Sequence, residues 1–362
     1  MGQNRIPLSA SFLVPRIATL SLVLAALLVS FAALFDALVA GRGEASVAEG
    51  RVVAKAKPVV LAFGGDVHFE GVLQAKLAAH PQGVLAPIEP VLDDADLAIV
   101  NLETAVTNGG APAAKQFVFS APPSAFAALR GAGVDVASMA NNHGMDFGES
   151  GLRDSLAAAR RYRFPVIGIG LDGKQAYRPF RQTINGQRIA VIGATQVLDD
   201  ELIAAWTAGP NTPGLASAKE VPRLLQEVRA ARRTADTVVV FLHWGVELDK
   251  CPTADQRKLA TQLVSAGADV VVGGHAHRLQ GAGRMGGALI AYGLGNFAWY
   301  STSELSAQTG VLFVTVTGRK VNGYRWTPAR IVDGVPRPLA GAERRSELAS
   351  WRSLRGCTGL EP

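Results

Sequence analysis

Cysteine is scarce, with two in 362 residues, too few for the disulfide framework that stands in for a core in small secreted domains. Charge of one sign is nearly absent as a feature. Lys+Arg total 36 against 30 Asp+Glu, a net charge of +6. No basic stripe interleaved with aromatics and no nucleic-acid motif is present, so DNA and RNA are not expected partners. The mild excess suits an anionic polymer or a phosphate-rich envelope, although an ordinary solvated surface accounts for it as well. Aromatics are only 7%, and the 39 Gly and 19 Pro follow no repeat period, which excludes collagen-like and solenoid architectures. The sequence also lacks H-E-x-x-H, which excludes a zinc peptidase of that type. What it does have is a 48% hydrophobic share, enough to bury a core and to exclude disorder over most of its length. The length allows two domains or one large α/β domain.

One long apolar run stands out. Residues 17 to 35 hold nineteen consecutive residues without a charge, preceded by Arg5 and Arg16 and closed by Asp36. About 20 apolar residues span a bilayer as a helix, and the preceding arginines favour a cytoplasmic amino end and an exported remainder. The run exceeds the 7–15 residues of a typical signal h-region, which favours an uncleaved anchor over secretion after cleavage. The expected organisation is a cytoplasmic stretch 1–16, a membrane segment 17–40, a linker 41–57, one domain 58–335, and a tail 336–362 packed on it. Export would put Cys251 and Cys357 in an oxidising compartment. A bridge there would pin the tail to the loop after His243, the alternative being two buried thiols.

Beyond residue 58, apolar β-branched runs alternate with Ala/Leu/Arg stretches. Strands are expected at Val59–Phe63, Leu97–Val100, Val134–Met139, Ile189–Ile192, Val238–Leu242, Val270–Val272 and Leu289–Tyr292. Helices are expected at Ser124–Arg130, Leu152–Arg161, Ala218–Arg232 and Ala254–Ala266, two of them announced by Pro122-Pro123 and Pro252-Thr253. Gly310–Val316 and Arg325–Val332 read as later strands. The alternation argues an α/β domain.

Polar residues collect directly after these strands: Asp66 and His68, Glu103, Asn142 and His143, His243, then His275 and His277. Ligands of open α/β sheets bind at the carboxyl ends of strands. Five of the six histidines follow apolar strand runs, and only His80 lies elsewhere. One such histidine is usually structural. Five beside Asp66, Glu103 and Asn142 point to a metal site. Imidazole, carboxylate and amide donors without thiolate suit Mn, Fe or Zn rather than a structural zinc or an all-oxygen calcium site. Asp66-x-His68 and His275-x-His277 each aim two donors at one small region. Those two pairs with Glu103, Asn142 and His243 make seven donors, too many for one zinc and suited to two divalent ions sharing a carboxylate. Such a pair, about 3.5–4 Å apart, activates water and clamps the oxygens of a displacement. His143, adjacent to Asn142, is placed for general acid catalysis or transition-state stabilisation.

The segments GGDVH, NLETAVT, ANNHGMDFGESGL, LHWGVE, GGHAHRLQ and YGLGNF occur in one order over about residues 58–300. In this the sequence resembles the CapA family of poly-γ-glutamate capsule biosynthesis proteins, within the calcineurin-like metallophosphoesterase superfamily. The resemblance implies two mixed β-sheets packed face to face and flanked by helices, a four-layer α/β/β/α sandwich. It implies one metal on Asp66, His68 and His277, the other on Asn142, His243 and His275, with Glu103 bridging and His143 catalytic. Glu103 departs from the usual Asp bridge. His275-Ala276-His277-Arg278 departs from a His-Pro-His-Val pattern and brings Arg278 forward as an anion clamp or a solvated arginine. Glu247 and Asp146 are candidates to orient ligating histidines. Gly293, Gly295 and Asn296 read as turn and backbone-approach residues rather than catalysts, with Asn296 also a candidate to touch substrate or support a metal ligand. The implied activity is cleavage of a phosphoester or amide in an anionic envelope polymer such as poly-γ-glutamate, with capsule synthase subunits as partners. The alternative is a non-catalytic module that holds polymer or synthase and keeps structural metals.

Overall fold

A computed structural model describes residues 57–300 and 303–362. The apolar run 17–35 lies outside them. Among the described residues no helix is long and apolar enough to cross a membrane.

The chain runs β1 (Val59–Val67), α1 (Val72–Ala79), β2 (Leu97–Leu102), α2 (Ala125–Gly131), β3 (Val136–Ser138), α3 (Gly148–Tyr162), β4 (Val166–Ile167), β5 (Phe180–Ile184) and β6 (Gln187–Thr195). It continues with α4 (Val221–Arg232), β7 (Thr237–His243), α5 (Ala254–Ala266), β8 (Val270–Gly274), β9 (Ala282–Met285), β10 (Ala288–Ala291) and β11 (Asn296–Ala298). The last elements are β12 (Gln308–Thr317), β13 (Lys320–Val332), β14 (Val335–Pro338) and α6 (Gly341–Ser353). One sheet has the order β14-β13-β12-β1-β2-β3-β4, with β11 alongside the end of β1; the other has the order β9-β10-β8-β7-β6-β5. β1 through β4 run parallel, as do β6, β7, β8 and β10, while β5, β9 and β12–β14 pair antiparallel.

The central strands are apolar on both faces because both faces are covered. Leu61 and Phe63 of β1, Ile99 of β2, Val191 of β6 and Val239 and Phe241 of β7 meet in one core between the sheets. Ala62 and Val100 turn the other way, onto Leu73, Phe126, Leu129 and Leu152 of α1, α2 and α3. Ile192, Val240 and Val271 pack outward on Leu224 and Val228 of α4 and Leu259 and Leu263 of α5. The result is mixed α/β, with helices outside and two sheets within.

Local chemistry fixes the element ends. Thr253 opens α5 with a reciprocal capping box, its hydroxyl accepting from the Gln256 N–H while Gln256 accepts from the Thr253 N–H. Gly267, at φ 113°, closes the same helix in the left-handed conformation. Two residues before that box, Cys251 is bonded to Cys357. The bridge spans 106 positions, and a disulfide typically contributes about 2–4 kcal/mol. The helices α1 and α6 and the edge strand β5 carry no strong apolar period and were not expected from the sequence.

Candidate metal centre

The parallel strands deliver their last residues to one buried cluster. Asp66 ends β1, Glu103 follows β2, Asn142 and His143 follow β3, His243 ends β7, and His275 and His277 follow β8. Asp66, His68, Glu103, His143, His243 and His275 are buried and His277 is partly so. Only His80 is elsewhere, exposed at the end of α1.

Donor atoms of Asp66, Glu103 and His243 lie within 4.8 Å of one another, and so do those of Glu103, His275 and His277. Glu103 belongs to both groups, which is the geometry a bridging carboxylate needs. These groups record which donor atoms lie close together, Asp66 with His243 and His275 with His277, and do not assign donors to individual ions. Glu103 Oε1 is 3.3 Å from His243 Nε2 and 3.8 Å from His277 Nε2, yet it has no hydrogen-bond partner. His68 Nδ1 and His275 Nδ1 are likewise buried without a partner. His68 Nε2 accepts from the Tyr300 N–H at 3.1 Å, so Nδ1 is the atom left over. Three orphaned donors in one cluster are costly unless something absent from the protein chain satisfies them. Divalent ions fit that need, and the imidazole and carboxylate set suits Mn, Fe or Zn.

The backbone is strained at the same place. His275 has φ 91° and His277 φ 50°, conformations that cost an L-residue about 1–3 kcal/mol and gather at functional sites. A Cβ on Gly274 would stand 2.3 Å from Asp66 Oδ1, so glycine is what lets the His275 N–H reach Asp66 Oδ2 at 3.0 Å.

Protonation follows from burial and crowding. Burial pushes His68 down to about 2 and His243 to about 3, and pushes His275 well below its usual value. Burial and the neighbouring Asp66 charge raise Glu103 well above the carboxylate range. Burial would lower His277 too, but Glu103 and Asp66 outweigh it and raise the imidazole to about 9. Burial would raise Asp66. Contact with His277, the charges of His243 and His277 and the Asn101 amide together hold it low instead. Without a metal, the proton on His277 therefore supplies positive charge beside the Asp66 carboxylate.

Several neighbours were not singled out from the sequence. The Asn101 amide donates to Asp66 Oδ1 at 2.8 Å and to Glu103 Oε2 at 3.3 Å, and stands 3.1 Å from His243 Nδ1. Asn141 donates to Asn101 Oδ1 and to the Leu102 carbonyl, both at 2.9 Å. Asn142 Oδ1 meets His243 Nε2 at 2.7 Å. Lys115, in the loop after β2, donates to the Asn142 carbonyl at 2.5 Å and to Asp146 Oδ1 at 2.9 Å. The Phe119 ring stacks on His143 with centroids 4.1 Å apart. A buried amide or lysine looks like any loop residue in sequence; only the fold makes it a hub.

The secondary candidates separate. Asp146 orients His143, not a donor of either triad: Oδ2 meets His143 Nδ1 at 2.6 Å and accepts from the Phe119 N–H at 2.6 Å. Asn296 does more than turn the chain, since Oδ1 meets His277 Nδ1 at 2.9 Å. Gly295 behaves as a turn residue at φ 64°, its carbonyl accepting from the Asp66 N–H at 2.9 Å. Glu247 is exposed and makes no hydrogen bond to any of these histidines among the described residues. Arg278 is partly exposed and donates to the Leu248 carbonyl at 3.3 Å.

A mixed α/β frame with a histidine–carboxylate cluster at its strand ends defines the class. Residues 60–301 match the family described as Bacterial capsule synthesis protein PGA_cap, and the chain belongs to that family. It is 31% identical over 288 residues to the PGA biosynthesis protein CapA of Bacillus subtilis (strain 168), covering 76% of this chain and 73% of that one. It is 30% identical over 266 residues to the capsule biosynthesis protein CapA of Bacillus anthracis, covering 72% of this chain and 64% of that one. Among solved structures, a hypothetical protein from Thermus thermophilus superposes with a TM-score of 0.49 at 19% identity, over 75% of this chain and 100% of the other.

Proposed function

We propose that this protein is a calcineurin-like metallophosphoesterase that uses two divalent ions to cleave a phosphoester or amide bond in an anionic capsule or envelope polymer, of the poly-γ-glutamate type. In this reading residues 17–35 anchor it in the membrane, the domain works outside the cytoplasm, and capsule synthase subunits are its neighbours. The observation that carries the proposal is Glu103, common to both donor groups and holding a buried oxygen without a partner. The family membership and the relatives' names support the polymer; the donor chemistry supports the reaction class.

Asp66, His68, His243, His275 and His277 would hold the ions with Glu103 between them and Asn142 as an amide donor. Bound ions would supply charge to a developing oxyanion and a water of lowered pKa. The chain supplies the rest. Asp146 accepts from His143 Nδ1–H, which fixes the tautomer and leaves Nε2 to take up or return a proton. Phe119, stacked on the ring, and Lys115, bonded to Asp146 and to the Asn142 backbone, hold that arrangement and exclude water.

The test is the full chain loaded with Mn²⁺, assayed on an aryl phosphate ester and on a γ-glutamyl polymer. Turnover of one of them, falling roughly 10²–10⁴-fold in His143→Ala with metal content unchanged, is the expected result. Metal uptake and polymer binding without turnover of either substrate would contradict the reaction and favour a non-catalytic polymer-holding module.

A further inference from the structure

One groove in the described residues lies away from the metal centre. It has a volume of about 590 Å³ and lies where the edge strands of the two sheets, β4 and β5, come side by side. Phe164 and Ile169 contribute to its apolar lining. Four arginines surround that lining. Arg160 lies in the last turn of α3 and Arg163 caps it, while Arg178 lies on the approach to β5 and Arg181 within that strand. All four are exposed, and no Asp or Glu lines the groove.

What sets the four apart is their place in one carboxylate-free lining, since other arginines, Arg161, Arg229 and Arg344 among them, also lack an acidic partner among the described residues. Arg153, Arg188, Arg223, Arg232, Arg325 and Arg330 each reach an acidic side chain. None of the four groove arginines does so among the described residues, and Arg181 donates only to the Thr234 hydroxyl, at 2.8 Å. Arg163 is also held in the left-handed conformation, at φ 49°, where glycine or asparagine is the usual helix cap. Arg130 fixes that turn by donating to the Tyr162 and Arg163 carbonyls at 2.7 and 2.9 Å. Arg163 is thus fixed in the groove lining beside three other exposed guanidinium groups, with no carboxylate in that lining to neutralise them.

We propose that this groove is a binding site for an extended polycarboxylate chain, separate from the metal centre. Guanidinium forks match carboxylates in pairs, and the apolar lining suits the methylene-bearing backbone of a γ-linked polymer. The concave shape fits a strand better than a flat lipid surface. The proposal rests on the reading that the protein handles an anionic polymer, and it assigns that polymer a place to be gripped away from the reacting bond.

The experiment is fluorescence anisotropy of a labelled γ-glutamate oligomer with the full chain, repeated across salt concentrations. The quadruple variant R160Q/R163Q/R178Q/R181Q should bind at least tenfold more weakly and with a shallower salt dependence. The equally discharged control R344Q/R345Q/R352Q/R355Q, which removes three arginines lining a second groove beside α6, should bind like the parent protein. Arg178→Glu alone, with its melting temperature checked against the parent, guards against a folding defect in the quadruple variant and should also weaken binding. Equal losses in both quadruple variants, no binding by the parent chain, or tighter binding to polyphosphate or to phosphatidylglycerol vesicles would overturn the site. Groove-dependent binding without polymer cleavage would sink the hydrolase reading alone. Cleavage with binding indifferent to the four arginines would sink the groove alone.

Discussion

The strand pair β7 and β8 carries buried charge at both ends, and the two ends are built differently. At the amino end, Asp269 is fully engaged. It accepts from the Val238 N–H at 2.8 Å, from Arg232 at 2.5 Å and from Arg319 at 3.5 Å. At the carboxyl end, His243 and His275 join Asp66 and Glu103 in a cluster that leaves Glu103 Oε1 and His275 Nδ1 without partners. Burial is comparable, so what differs is satisfaction. A buried ion pair with every atom engaged holds two strands to a helix. A buried set with atoms unengaged raises the energy of the metal-free fold and reserves those atoms for something else.

Substitution should therefore have opposite consequences at the two ends. Asp269→Ala leaves Arg232 without its partner and the Val238 N–H unbonded, and should cost about 3–5 kcal/mol in chemical denaturation, with metal content per folded chain unchanged. Unchanged stability would mean that the amino-end pair is ornamental. Gly274→Ala drives a methyl group against Asp66 Oδ1 and should cost about 1–3 kcal/mol as overpacking. It should also lower metal content, which Asp269→Ala should not. Retention of full metal content in Gly274→Ala would separate Asp66 from the site.

Acidity sharpens the contrast without a mutation. In chelator-stripped protein the folded values of His68 and His243, about 2 and about 3, lie below the ordinary 6.5. Their contribution to stability is complete above 6.5 and is lost as pH falls toward 3, because the unfolded chain binds protons that the fold refuses. His277, raised to about 9, contributes fully below 6.5 and loses that contribution as pH rises through 9. Metal-free stability should peak near pH 6.5. A melting temperature that is flat from pH 5 to 9 would contradict the buried, crowded state of these imidazoles. Asp269, raised by burial, favours the fold in acid and cannot produce the acid loss.

Much of the carboxyl end was legible before any coordinates. Strands of β-branched residues that stop at Asp, His or Asn announce both a parallel sheet and the edge where a ligand collects. Two donor pairs at i, i+2 then narrow the chemistry to metal. The cysteine pairing was anticipated only through the expected export of the domain. The Asn101 hub was not, because one amide in a buried strand resembles any other until Asp66, Glu103 and His243 converge on it. Lys115 was hidden in a loop whose sequence reads as solvated. The groove arginines were invisible for a simpler reason. Exposed arginines are common, and only the fold shows which of them lack a carboxylate.

The most direct measurement is metal stoichiometry by mass spectrometry on the full chain, stripped with chelator, reloaded with Mn²⁺ or Zn²⁺ and freed of excess ion. Two divalent ions per chain are predicted, with at least one lost in Glu103→Gln while the metal-free variant melts no lower than the parent. A parent chain that takes up no divalent ion, or a Glu103→Gln variant that holds two as tightly as before, would contradict the shared-carboxylate centre.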